Sequence, residues 1–219
     1  MLLRALQSLL ADLYGIEVDA DVRDFVVTDA AALRPARAAA NARDTAEQLL
    51  IGEGDGELCL ALYLDPDLLH RLDAFDPLRC LCACNIEDFC TVLEGVSHFN
   101  YVAWNAACDK PVTLLELEMQ AEVDKYVSAR ALLGRQASGD IGRRLLAHLF
   151  GQPAFDPALP AEELRRYHDA SRFASAYCAS LESRFPAGAP GPGMLRELRA
   201  FFRWPQPAKV SHIRSSLLS

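Results

Sequence analysis

Two long stretches of helical periodicity, 85–108 and 113–133, are separated only by Asp109-Lys110-Pro111. So short a connection forces the two helices to run antiparallel as a hairpin. Asn85 supplies an N-cap for the first helix, and Thr113 with Glu116 fits a capping box at the start of the second. Whatever else the chain does, it must build its core against this pair.

Helical residues advance by about 100° each, so faces can be read from the numbering. In the first helix Phe89, Val92, Leu93, Val96, Phe99, Ala103 and Trp104 form a broad apolar arc, leaving Glu87, Thr91, Glu94, His98 and Asn105 as a narrow polar stripe. In the second, Glu116, Gln120 and Asp124 read as the solvent side. Glu118 and Glu122 fall instead within the arc of Leu114, Leu115, Ala121, Tyr126, Ala129 and Leu133. With the turn centred near residue 110, residue i stands opposite roughly 220 − i. His98 is then level with Glu122, and Glu94 and Glu118 lie a turn away on either side. Buried carboxylates are costly without compensation. Zn²⁺ or Fe²⁺ would supply it, since both accept imidazole and carboxylate together. A structural network, in which protonated His98, Asn105, Lys125 or a distant arginine holds Glu118 and Glu122, would supply it equally.

Before the hairpin the texture is mixed. MLLRALQSLLADLYGI has the leucines of a signal peptide, but Arg4, Gln7 and Asp12 interrupt it, and it reads as an amphipathic helix. Residues 22–28 are short and β-branched, and 47–51 and 57–64 flank the turn GEGDG as a β-hairpin. ELCLALYL barely alternates, so it reads as a strand covered on both faces. A short helix follows Arg34-Pro35, and another opens at Asp65-Pro66 and stops at Asp76-Pro77. The expected fold is therefore α+β: a small antiparallel sheet near the N-terminus packed on a long helical hairpin, with a mainly helical C-terminal half. Residues 140–150 and 160–184 form the later helices. One domain is expected over 1–185, with 186–219 a linker (PAGAPGPG), a short basic amphipathic helix and a tail.

That last segment offers a partner site. From 194 onward Arg196, Arg199, Arg203, Lys209 and Arg214 face a single acid, Glu197, beside Phe201, Phe202 and Trp204. It reads either as a docking element for an acidic partner or as a terminal helix packing its aromatics on the body. Overall, 22 basic against 30 acidic residues give −8, which argues against wholesale nucleic-acid binding. No stretch approaches the roughly 18 apolar residues of a membrane span. Seven cysteines are an odd set in a chain too large to need staples, so reduced thiols and a cytoplasmic address are expected. Only 3 of the basic residues are lysines, which suggests a GC-rich bacterial genome. Cys80, Cys82 and Cys84 alternate instead of following zinc-ribbon spacing and read as small buried hydrophobes. The GEGDG turn lacks the lysine and hydroxyl of a phosphate loop. A ferritin-like di-iron site would need Glu-x-x-His on two helices, and this hairpin has one histidine.

A leading helix, a sheet ending in a hairpin, a helix with paired ligands and a following glutamate helix resemble a minimal gluzincin, a zincin-like metallopeptidase, over about residues 1–134. Where that family carries H-E-x-x-H, this chain has Glu94-Gly95-Val96-Ser97-His98. Glu94 replaces the first histidine and Gly95 the general-base glutamate. The resemblance implies that Glu94, His98 and Glu118 are zinc or other divalent-metal ligands, and that Glu122 is the acid orienting a histidine or a substitute base for a bound water. The expected function is thus a divalent-metal-binding, zincin-like protein, either a diverged metallohydrolase or an inactive relative. The competing expectation is a non-enzymatic adaptor with a structural polar core, docking through 194–219.

Overall fold

The computed structural model describes residues 1–39, 43–54, 57–136, 141–153, 155–186 and 188–216. The leading segment is a helix, α1 (Leu2–Tyr14), whose Leu6, Leu9, Leu10 and Leu13 are buried. A 3-10 turn (Val22–Phe25) leads into β1 (Val26–Val27), and α2 (Arg34–Ala39) connects to β2 (Glu47–Gly54) and β3 (Glu57–Leu64). The hairpin of β2 and β3 has the expected place, with Gly54 paired to Glu57; Asp55 and Gly56 of its turn lie outside the described residues.

The sheet is α+β in setting but not purely antiparallel. Its order is β1-β3-β2, and β1 runs parallel to β3 with Val26 opposite Leu62. The chain passes from β1 through α2 to the far edge before turning back into the centre, so β3 meets β2 head to tail and β1 in the same direction. β3 is covered on both faces over its last residues. Leu62 and Leu64 pack on the main core, while Tyr63 joins Leu33 and Leu50 in a small second cluster. Arg37 of α2 closes that cluster, its guanidinium 4.4 Å over the Tyr63 ring.

After α3 (Pro66–Ala74) comes the helical hairpin, α4 (Ile86–Ala107) and α5 (Leu114–Gln136). Ser97 hydrogen-bonds Asp124 and Tyr101 bonds Glu116, within a few residues of the expected register. α6 (Ile141–Phe150) and α7 (Ala161–Arg184) pack on α5; Asp140, the expected start of α6, lies outside the described residues. Arg130 of α5 is buried against Glu182 of α7 at 2.7 Å. Among the described residues no helix is long and apolar enough to cross a membrane.

The expected linker and tail are, over their described part, two further helices seated on the body: α8 (Pro192–Arg203) and α9 (Gln206–Ser216). Ala187 and residues 217–219 lie outside the described residues. Phe201 and Phe202 are buried, Tyr177 stacking on Phe201 and Tyr14 on Phe202. Arg199 and Arg203 donate to the carbonyls of Asp12, Leu13, Tyr14 and Gly15, capping the C-terminus of α1. Three of the five basic residues expected to greet a partner are engaged internally, because Lys209 is also wholly buried. All four arginines, Arg196, Arg199, Arg203 and Arg214, remain exposed, the middle two while donating to α1.

Covering α5 with α1 and α9 overturns the expected solvent face. Glu116, Gln120 and Asp124 are at most 4% exposed. The ammonium of Lys209 lies 2.8 Å from both Tyr101 Oη and Gln120 Oε1 and 3.8 Å from Glu116. Asp124 accepts from Ser97, Tyr14 and Gln120. Burial is the main reason the lysine is pushed down to about 7, against the pull of Glu116 and Asp124.

A carboxylate and imidazole cluster between the sheet and the hairpin

Glu94 and His98 stand one turn apart on α4, as the sequence requires, but the third group that meets them comes from the sheet. Glu47, the first residue of β2, is carried over α4 by its pairing with Leu64. One ligand-type atom from each of Glu47, Glu94 and His98 lies within 4.8 Å of the other two. The approach depends on Gly95. A Cβ at that position would stand 2.7 Å from Leu62 Cδ1 and 2.9 Å from both Cγ and Oε1 of Glu47. Gly95, standing where the expected H-E-x-x-H resemblance places a glutamate, is thus the floor on which Glu47 lies.

The acids of α5 take different places. Glu118 faces the other side of the imidazole, its Oε2 3.7 Å from His98 Nε2, while Glu47 Oε1 is 3.8 Å from Nδ1. Both separations exceed a hydrogen bond, and Glu47 Oε1 and His98 Nε2 are buried without a hydrogen-bond partner. Glu122 does not face the histidine. It shares Lys125 with Glu94, each 2.7 Å from the ammonium, so its carboxylate is occupied by a cation. From α7, Arg166 approaches Glu118 at 4.0 Å. The side chains of Glu47, His98 and Glu118 are between 8% and 11% exposed.

Electrostatics follow from that burial. Desolvation works against the imidazolium, yet the Glu47, Glu118 and Glu94 carboxylates outweigh it and lift His98 to about 9. Burial raises Glu118 to about 7 and also pushes Glu47 up. In Glu94 the same penalty is overcome by Lys125 and His98, and the group falls below its ordinary value. Lys125, between two carboxylates, is pushed well up despite its burial. Without a metal, the four carboxylates are only partly offset by Lys125, a proton on His98 and Arg166, which Glu118 shares with Glu163. A divalent cation would take the place of that proton.

The donor set suits such an ion. Two carboxylates and an imidazole are ligands for Zn²⁺, Mn²⁺ or Fe²⁺. Donors about 2.1 Å from a tetrahedral ion stand about 3.4 Å apart, so atoms now within 4.8 Å of one another would close by up to about 1.4 Å. Glu47 was not legible in the sequence, where it is simply a polar residue at a strand edge. The available signal was Gly95: a glycine in mid-helix costs about 1 kcal/mol and marks a close approach by another element. No protein-family model, curated protein or solved structure matches this chain.

Proposed function

We propose that this chain is a divalent-metal-binding protein whose centre is Glu47, Glu94 and His98, with Glu118 orienting the imidazole from its far side. The observation that carries the reading is the convergence within 4.8 Å of one ligand-type atom from each of Glu47, Glu94 and His98, where Glu47 Oε1 is buried without a hydrogen-bond partner. Paired ligands on α4 keep the arrangement zincin-like, with one ligand changed to Glu94 and a strand carboxylate added. A metal held there would supply charge compensation that ties β2 to α4. Glu47 and His98 are 10% and 8% exposed and Glu94 25%, so the centre is enclosed on most of its sides, which favours a structural site over a peptidase site, since zinc centres that act on substrates keep an open position. Lys125 holds both Glu94 and Glu122 at 2.7 Å, so a bound metal would share Glu94 with the lysine, and Glu122 is a poor candidate for a base. An inactive or structural relative of the zincin arrangement is thus favoured over a hydrolase.

The test is elemental analysis of protein purified without chelator, alongside Glu47→Gln, His98→Gln and Glu122→Gln. About one equivalent of zinc, manganese or iron is expected in the wild type and in Glu122→Gln, and loss of it in the other two. A folded, metal-free wild type would make the cluster an ion-pair network held by Lys125 and Arg166. The adaptor reading has less support, because Arg199, Arg203 and Lys209 are already bound within the fold.

A further inference from the structure

The loop that heads α4 carries Cys80, Cys82 and Cys84, and none of them is buried as the sequence reading expects. Cys80 and Cys84 are exposed and Cys82 is half-buried. Cys82 and Cys84 form a disulfide across two residues, while Cys80 is a free thiol beside it. Elsewhere Cys90 and Cys178 are sealed in the core, burial pushing the Cys90 thiol up to about 12.

The bridge is not needed to hold the loop. Asn85, which occupies the N-cap of α4 without capping it, accepts from Cys82 N at 2.9 Å and donates to the carbonyls of Phe75 and Cys80. Gln136 at the end of α5 accepts from Leu81 N and donates to the carbonyls of Pro77 and Leu78. Two amide side chains thus fix the backbone on both sides of the cysteines. A disulfide closing so small a ring also removes little freedom from the unfolded chain, because the stabilisation grows with loop length. An accessible bridge with no stapling task on a preformed loop has the attributes of a labile, reversible disulfide.

We infer that loop 80–84 is a thiol–disulfide exchange site in which Cys82 and Cys84 are the redox pair and a small thiol of the glutathione type, or its disulfide, is the co-reactant. In the oxidising direction the Cys84 thiolate, the more exposed of the pair, attacks one sulfur of the small disulfide. That S–S bond breaks, a mixed disulfide forms on Cys84, and one small thiolate leaves. Cys82, as thiolate, then attacks Cys84 Sγ, forming the Cys82–Cys84 bond and expelling the second small thiolate. Two electrons pass from the dithiol to the small disulfide, and the two thiol protons go to solvent or to the departing thiolates. Reduction is the same sequence reversed.

The experiment equilibrates the full-length protein in buffers of graded reduced to oxidised glutathione, quenches with acid, alkylates and maps the cysteines by mass. Wild type is expected to interconvert between dithiol and Cys82–Cys84 disulfide within the range the buffer spans. Cys82→Ser should trap one glutathione on Cys84, and Cys80→Ser should leave the midpoint within about twofold in the squared-thiol to disulfide ratio, a difference of about 10 mV at 29.6 mV per decade. Circular dichroism of each variant should match wild type, since the loop is held by Asn85 and Gln136. The assignment is overturned if the pair stays fully reduced in excess oxidised glutathione, if the bridge survives a large excess of reduced glutathione, or if Cys80 proves to be the partner of Cys84. None of these outcomes depends on whether metal binds the Glu47, Glu94 and His98 cluster.

Discussion

Replacing Gly95 by alanine sets two effects of known sign against each other. In an ordinary helix interior the change stabilises by about 1 kcal/mol, through helix propensity and lost chain entropy. Here the new methyl would stand 2.7 Å from Leu62 Cδ1 and 2.9 Å from Glu47 Cγ and Oε1. Carbon atoms in good contact are about 3.5–4.0 Å apart, so each overlap is on the order of 1 Å. Leu62 is wholly buried and cannot swing aside. Overpacking of this kind costs about 1–3 kcal/mol, and a site enclosed on three contacts belongs at the upper end. The expected net is a loss of about 2 kcal/mol, or a fall of about 4–8 °C in Tm for a chain of this size. Urea unfolding followed by circular dichroism measures it. Because two of the three overlaps are with Glu47, the change should be about 1 kcal/mol less damaging in a Glu47→Ala background. A stabilised Gly95→Ala protein, or additive effects in the double variant, would show that β2 does not press on α4 at this point.

The buried network on the other face of the hairpin gives further expectations. Lys209 is at about 7 when folded and 10.5 as its ordinary value. The unfolded chain therefore binds more protons between those limits, and this residue's destabilisation is full below pH 7 and relieved as pH rises. Wild type should gain stability relative to Lys209→Met from pH 7 to 9, by up to about 1.4 kcal/mol per unit, in urea titrations at fixed ionic strength. A pH-independent difference would mean that Glu116, Asp124 and Tyr101 hold the amine at its ordinary value. Asp124→Ala leaves the donors of Ser97, Tyr14 and Gln120 without their shared acceptor. It should cost about 3–5 kcal/mol, and a cost under about 1 kcal/mol in the same assay would show that the network is not coupled to folding.

Much of the fold is legible in local patterns. The brevity of Asp109-Lys110-Pro111 determines the antiparallel hairpin, and the Thr113 hydroxyl accepts from Glu116 N as a cap should. Glu116 does not return to complete the capping box, because its carboxylate takes the Tyr101 hydroxyl instead. The placement of Glu94 and His98 on one face of α4 also follows from spacing alone. These features depend on residues a few positions apart, and the period of the helix is enough to relate them.

What periodicity does not reveal is which neighbours cover a helix. α5 is enclosed by α4, α7, α1 and α9, so it has no solvent stripe. Its polar residues read as exposed in the sequence but lie at the centre, matched to Tyr14 and Lys209 from more than 80 residues away. The same limit hid Glu47, whose position beside His98 is set by strand pairing and by the missing side chain at Gly95. The sequence by itself determined most of the elements, the antiparallel hairpin and two of the three grouped donors, Glu94 and His98. Only the tertiary structure decided that the C-terminal helices complete the core and that a strand carboxylate completes the cluster. Such pairings join segments far apart in the chain, and their stability resides in burial and electrostatic compensation that no local pattern records.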